Sequence, residues 1–208
     1  MPDLKTRLSK GIHALGLIVP VEAQEKMLQF LTLVQKWNRV HNLTAITDLQ
    51  EMVTKHLLDS LAILPFVQGK RILDIGTGAG FPGVPLALAL PNKTFTLLDS
   101  AGKKICFLRL AKEELALSNI KVEENRVELF HDDVGFDTMV CRAVGSMEKV
   151  LEQSRHLAHP QTRWLFMKGQ VTQEELQSVN QSVKVHSLKP PELNEQRTVV
   201  VVEGEMRG

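Results

Sequence analysis

Four glycines fall within eight residues, at Gly76, Gly78, Gly80 and Gly83, and this cluster constrains the fold more than any other stretch of the chain. It is entered by an apolar, β-capable run (Ile72, Leu73, Ile75) that carries one acid, Asp74, near its end. After Pro82 come Val84, Leu86, Leu88 and Leu90, apolar enough for a packed helix. Strand, glycine loop and helix in that order open the nucleotide-cradling half of an α/β domain. Glycine is required where the backbone turns sharply and a ligand must approach without a Cβ in the way.

The spacing sorts the ligands such a loop can take. A phosphate-binding P-loop needs GxxxxGK[ST], and no Lys-Ser or Lys-Thr follows these glycines. A dinucleotide loop needs GxGxxG at the end of the strand; counted from Gly76 the sixth position is Phe81, and only the later frame Gly78, Gly80, Gly83 fits. An acid, one residue and then GxGxG suits S-adenosylmethionine, and Asp74 through Gly80 has that form. Asp99 ends a second β-capable run, Thr96-Leu97-Leu98, where a carboxylate can accept the hydroxyls of a ribose. A nicotinamide cofactor would use the same acid, and a helix N-cap for the following segment is the plainer role for Asp99. The stretch Glu124 to Glu128 lies where backbone groups could read an adenine, or it is a surface loop.

The first 65 residues read as helices at Asp3–Leu15, Val21–Val40 and Leu49–Leu64, with Met27, Leu28, Leu31, Val34 and Trp37 on one face of the second. From Arg71 the pattern alternates. Strands are predicted at 71–75, 94–99, 119–123, 136–141, 162–167, 183–188 and 197–203, with helices at 82–90, 102–117, 147–157 and 171–180. That is an α/β chain with a seven-stranded, mostly parallel sheet. The last two strands have no room for a crossover helix between them, so one of the pair should run antiparallel. By analogy this is the Rossmann-like class I methyltransferase plan, with residues 1–66 as an N-terminal helical cap on a core of 67–208. Lys plus Arg number 25 and Asp plus Glu 24, so any nucleic-acid surface is a local patch rather than a global field. Two cysteines, Cys106 and Cys141, argue against a disulfide scaffold and, with no apolar run of membrane-spanning length and no convincing signal peptide, point to a soluble cytoplasmic protein.

Taken together these residues resemble the RsmG (GidB) family of bacterial 16S rRNA guanine-N7 methyltransferases. The resemblance is carried by Lys36-Trp37-Asn38, His41-Asn42-Leu43-Thr44, His56-Leu57-Leu58-Asp59-Ser60, the run Asp74 to Gly83, Leu97-Leu98-Asp99-Ser100, Arg126-Val127-Glu128, Cys141-Arg142-Ala143 and Met167-Lys168-Gly169. Ala79 and Cys141 stand where proline and serine are common in that family. The resemblance implies methylation of guanine 527 of 16S rRNA, with S-adenosylmethionine as donor and no metal. It implies cofactor contacts at Gly76, Phe81, Val127, Glu128 and Arg142, beside the loop residues Asp74, Gly78 and Gly80 and the ribose acceptor Asp99. The expected partner is 16S rRNA, the small ribosomal subunit or its assembly intermediate, met by a monomer.

Guanine N7 has a free lone pair in its neutral form, so the reaction needs alignment rather than a proton acceptor. No acid–base residue is therefore assigned. Arg142, Lys168, Asn38 and His56 are candidates for positioning the substrate, with an ion pair, a solvated lysine and structural hydrogen bonds as their plainer roles. Lys103, Lys104 and Arg109 could touch phosphates. Cys141 lacks the setting of a thiol nucleophile and reads as a buried core residue. Two readings from other classes compete with the enzyme: a non-catalytic S-adenosylmethionine- or RNA-binding module on the same fold, and a nicotinamide oxidoreductase.

Overall fold

A computed structural model describes residues 3–142 and 145–206. Its centre is one seven-stranded sheet in the order β3-β2-β1-β4-β5-β7-β6. The strands are β1 (Arg71–Ile75), β2 (Thr94–Asp99), β3 (Ile120–Glu124), β4 (Phe136–Arg142), β5 (Ala158–Lys168), β6 (Gln181–Leu188) and β7 (Arg197–Met206). β1 to β5 pair in parallel, and β7 is antiparallel to both β5 and β6. The reversal follows from chain length, because the connection between β6 and β7 is too short for a crossover helix. Strand order turns back on itself between β1 and β4, and ligand crevices in open α/β sheets form at the carboxyl ends of strands at such a switch.

Helices α1 (Leu4–Ala14) and α2 (Val21–His41) are followed by an unbroken helical run: α3 (Leu49–Met52), a π turn over Val53–Leu58, and α4 (Asp59–Leu61). The sequence predicted one helix there, Leu49–Leu64, without the widened π turn in its middle. The core helices are α5 (Gly83–Ala89), α6 (Gly102–Glu114), α7 (Met147–Ser154) and α8 (Gln173–Gln177). The N-terminal helices do not stand apart from the sheet. Met27, Phe30, Leu31 and Val34 of α2 are fully buried in one apolar cluster with Val84 and Leu86 of α5 and Phe107 and Leu108 of α6. Each large apolar side chain so buried contributes about 1.5–3 kcal/mol. The opposite face of the sheet has its own cluster, built from Leu73, Met139, Leu151, Trp164 and Val200.

Two boundaries differ from the sequence expectation for visible reasons. β5 begins at Ala158 rather than 162; Pro160 interrupts the regular pattern, and the pairing register shifts between Phe136 and Thr138. α8 is shorter than expected, and begins where Thr172 and Glu175 form a reciprocal capping box. Among the described residues, no helix is long and apolar enough to cross a membrane.

Candidate functional site

The glycine loop leaves β1 and turns back beneath itself. Gly76, Gly78 and Gly80 all have positive φ, at 65°, 62° and 95°. At Gly80 a Cβ would come within 2.8 Å of both Leu108 and Val84 and 3.0 Å of Phe30, so only glycine lets the loop lie on α2, α5 and α6. At Gly78 the reverse holds: a Cβ would project into open space, nearest the Gly76 carbonyl at 3.9 Å. That is a cradle in which a side chain would take up room otherwise open to a ligand.

Two acids hold the loop. Asp74 is fully buried; its Oδ2 accepts from the Thr77 hydroxyl at 2.7 Å and the Gly83 amide at 2.8 Å. Its Oδ1 is buried with no hydrogen-bond partner among the described residues. Burial pushes the Asp74 carboxyl up to about 6, against the pull of those two donors and of Arg142. Asp99, at the end of β2, accepts from the Gly78 amide through Oδ2 and from the Ala101 amide through Oδ1, both at 2.9 Å, and Lys104 lies 3.7 Å away. It thus steadies both the loop and the start of α6, and each oxygen keeps a second lone pair.

Over the ends of β1, β2 and β3 lies a cavity of about 270 Å³, lined by Gly76, Asp99, Val127 and Glu128 among others. Val127 and Glu128 stand in a 3₁₀ turn, Val127–Leu129. Lys149 and Gln153, from α7, also reach this cavity. Nothing in the sequence marked them, since both look like solvated positions of an amphipathic helix.

Across the switch, over the ends of β4 and β5 and the start of β7, lies a larger cavity of about 730 Å³. Arg142, Lys168, Cys141 and His56 line it, together with Lys55, Asp59 and Arg197. Arg142 Nη1 is 3.7 Å from Asp59 Oδ2 and 3.4 Å from His56 Nδ1, and its guanidinium lies 5.5 Å over the Phe81 ring. The His56 ring stacks on Phe81 with centroids 4.4 Å apart. Arginine only donates, so Nδ1 of His56 must be an acceptor, and the ring carries its proton on Nε2, which donates to Thr44 Oγ1 at 2.9 Å. Burial and the adjacent Arg142 charge lower the His56 pKa to about 3, which keeps the ring neutral. Asp59, 4% exposed, also accepts from Arg197 Nε at 3.2 Å. Burial holds its carboxyl above the ordinary range despite both arginines.

The remaining candidates fall in different settings. Lys168 ends β5, lines the larger cavity and is ion-paired with Glu175. Asn38 is buried and accepts from the Thr44 amide at 2.8 Å, so it holds the segment that in turn holds His56. Cys141 is buried, and burial together with Asp74 raises its thiol far above the ordinary range. That leaves it without nucleophilic character. Ala143 lies outside the described residues.

The sequence profile of the family described as GidB, rRNA small subunit methyltransferase G, matches residues 23–200. The chain belongs to this family. Within the GidB family, the "Ribosomal RNA small subunit methyltransferase G" of Coxiella burnetii (strain Dugway 5J108-111) is 47% identical over 94% of this chain and 96% of its own length. The protein of that name from Methylobacillus flagellatus is 45% identical over 95% of this chain and 97% of its own. Among solved structures, the fold is shared with "M. capricolum TrmK in complex with the natural cofactor product S-adenosyl-homocysteine", at TM-score 0.55 and 16% identity over 71% of this chain and 68% of that one. It is also shared with "Human methyltransferase 10 domain containing protein", at TM-score 0.56 and 13% identity over 85% and 95%. The α/β fold of this GidB-family chain is therefore that of the class I methyltransferases.

Proposed function

We propose that this protein transfers a methyl group from S-adenosylmethionine to N7 of a guanine, position 527, in 16S rRNA of the small ribosomal subunit. The observation that carries this reading is the arrangement across the β1–β4 switch in a GidB-family chain: an acid-held glycine loop on one side, a cation-lined cavity on the other.

The loop fits the cofactor. Asp74 presents a buried oxygen without a partner among the described residues, suited to a cationic group, and Gly78 leaves open space above the loop. Asp74, Gly76, Gly78, Gly80 and Phe81 would hold the methionine portion. Asp99 would take the ribose hydroxyls, and Val127 and Glu128 would lie beside the base. Arg142 would close the site between cofactor and substrate. When bound, S-adenosylmethionine supplies an electrophilic methyl group. The chain's own part is placement and charge. A neutral His56 cannot repel the positive charge that moves onto the guanine, and Asp59 supplies a compensating carboxylate behind Arg142. Asn38 acts through Thr44 to fix the His56 ring, and Lys168 serves the RNA side of the cavity.

Residues 1–66 serve as a helical cap on the core of 67–208, and the protein works as a cytoplasmic monomer. The experiment is transfer of labelled methyl from S-adenosylmethionine to small subunits from cells lacking this protein, with the modified base mapped. Label at guanine N7 in 16S rRNA is expected. Label elsewhere, or none with bound cofactor, would defeat the reading.

A further inference from the structure

On the wall of the larger cavity, one cluster has no part in the scheme above. Arg197 opens β7, and Lys55 lies in the π turn Val53–Leu58. Between them sits the carboxylate of Glu195, 2.7 Å from Arg197 Nη2 and 4.0 Å from Lys55 Nζ. The two sides of this arrangement are built differently. Behind Arg197, the buried Asp59 carboxylate accepts from Nε and fixes the guanidinium. In front, the Glu195 side chain is 56% exposed and belongs to the short connection between β6 and β7.

A guanidinium fixed by a buried acid, with an ammonium aimed at the same anion, is an arrangement that suits a tetrahedral oxyanion. An exposed carboxylate held by such a pair contributes little to stability, because solvent screens it and ordering its side chain costs entropy. A backbone phosphodiester carries the same single negative charge and offers two unbridged oxygens, one for each cation. Exchange of the glutamate for the phosphate is therefore neutral in charge and leaves both cations paired.

We propose, resting on the RNA-substrate reading, that Glu195 occupies the seat of a substrate phosphodiester, and that Lys55 and Arg197 bind that phosphate when Glu195 swings out. Glu195 is then an internal competitor of RNA. It lowers affinity for strands that cannot fill the rest of the cavity, while in the free protein Lys55 is also shared with Glu51, 3.7 Å away, and Arg197 with Asp59.

The test is retention of protein-free 16S rRNA on filters, titrated against potassium chloride. Glu195→Gln keeps the shape and removes the competing charge, so it should bind about two- to fivefold more tightly than wild type. Lys55→Gln should bind more weakly, with the slope of log affinity against log salt reduced by about 0.7, the share of one single-strand phosphate. In the Lys55→Gln background the gain from Glu195→Gln should shrink. Glu192→Gln removes the same charge from the same connection, but from a residue that pairs with Arg7 rather than with Lys55 or Arg197, and should bind as wild type. Equal affinity for Glu195→Gln and wild type, or an equal gain from Glu192→Gln, overturns the proposal. Methyl transfer to small subunits is measured on the same wild-type preparation. Its absence would sink the methyltransferase reading, while the binding comparison would still decide the place of Glu195.

Discussion

Replacing Asp74 by asparagine should make the cofactor-free protein less sensitive to pH while weakening the cofactor site. The carboxyl is fully buried, has one oxygen unpartnered among the described residues, and is pushed by burial from an ordinary 3.8 up to about 6. The folded state thus holds a proton that the unfolded chain has already released. The stability contribution is greatest below 3.8 and is lost as pH rises through about 6. The whole difference corresponds to about 3 kcal/mol, and roughly 1.4 kcal/mol of it falls between pH 5 and pH 8. His56, with its folded pKa lowered to about 3, acts with the opposite sign, since its contribution is lost as pH falls below 6.5. Taking the difference between wild type and Asp74→Asn cancels the His56 part. Urea unfolding at several pH values should show the mutant gaining on wild type by roughly that 1.4 kcal/mol from pH 5 to pH 8. A cation bound at Oδ1 favours the ionised carboxyl, so calorimetry should find S-adenosylmethionine affinity rising with pH through 6 in wild type and flat in the mutant. Parallel unfolding free energies across the range would refute the reasoning.

Asp99→Ala should leave the fold intact and raise the dissociation constant for S-adenosylmethionine by about tenfold or more, read by calorimetry; unchanged affinity would confine Asp99 to the Gly78 and Ala101 amides. Single-turnover methyl transfer at saturating substrates should show no imidazole titration between pH 6 and pH 7, because His56 is already neutral there. A step in that range that disappears in His56→Gln would restore a general-base role. Lys168→Ala should spare cofactor affinity and slow transfer to small-subunit RNA, with the loss dependent on salt; normal transfer would leave Lys168 as the partner of Glu175 alone.

Much of the frame is legible in the sequence. β1 and β2 begin and end where the apolar runs do, since both are central, buried strands flanked by turn-forming residues. The loop glycines and Asp99 were visible because a tight turn beside a strand end leaves a spacing that few other structures need. The larger cavity was legible only in part. Arg142 and Lys168 follow strands and so could be placed on its rim, but Lys55, Glu195 and Arg197 are brought together from distant segments by topology. The π turn left no sign either, because a single widened turn barely alters the apolar period of 3.6 that predicts a helix. For Asp99, sequence posed a choice between ligand acceptor and helix cap that carboxylate chemistry does not force. Its two oxygens already serve the backbone and retain lone pairs for a further donor.

The apolar face of α2 has a consequence for how this chain is made. Met27, Phe30, Leu31 and Val34 meet their partners on α5 and α6, the latter ending at Glu114. A ribosome delivers α2 well before those partners, so the apolar stripe of a 21-residue helix must wait while about a third of the chain follows it. Until then only its neighbours in sequence, Leu8 and Ile12 of α1 and Met52 to Leu58 of the following helical run, are there to cover part of that stripe, and most helical stability in proteins comes from such packing. Its docking on α5 and α6 therefore follows the synthesis of β1 and β2. In the interval the exposed stripe is the natural target of holdase chaperones, and changes that make it stickier would be felt first as lost yield rather than as a weaker finished enzyme.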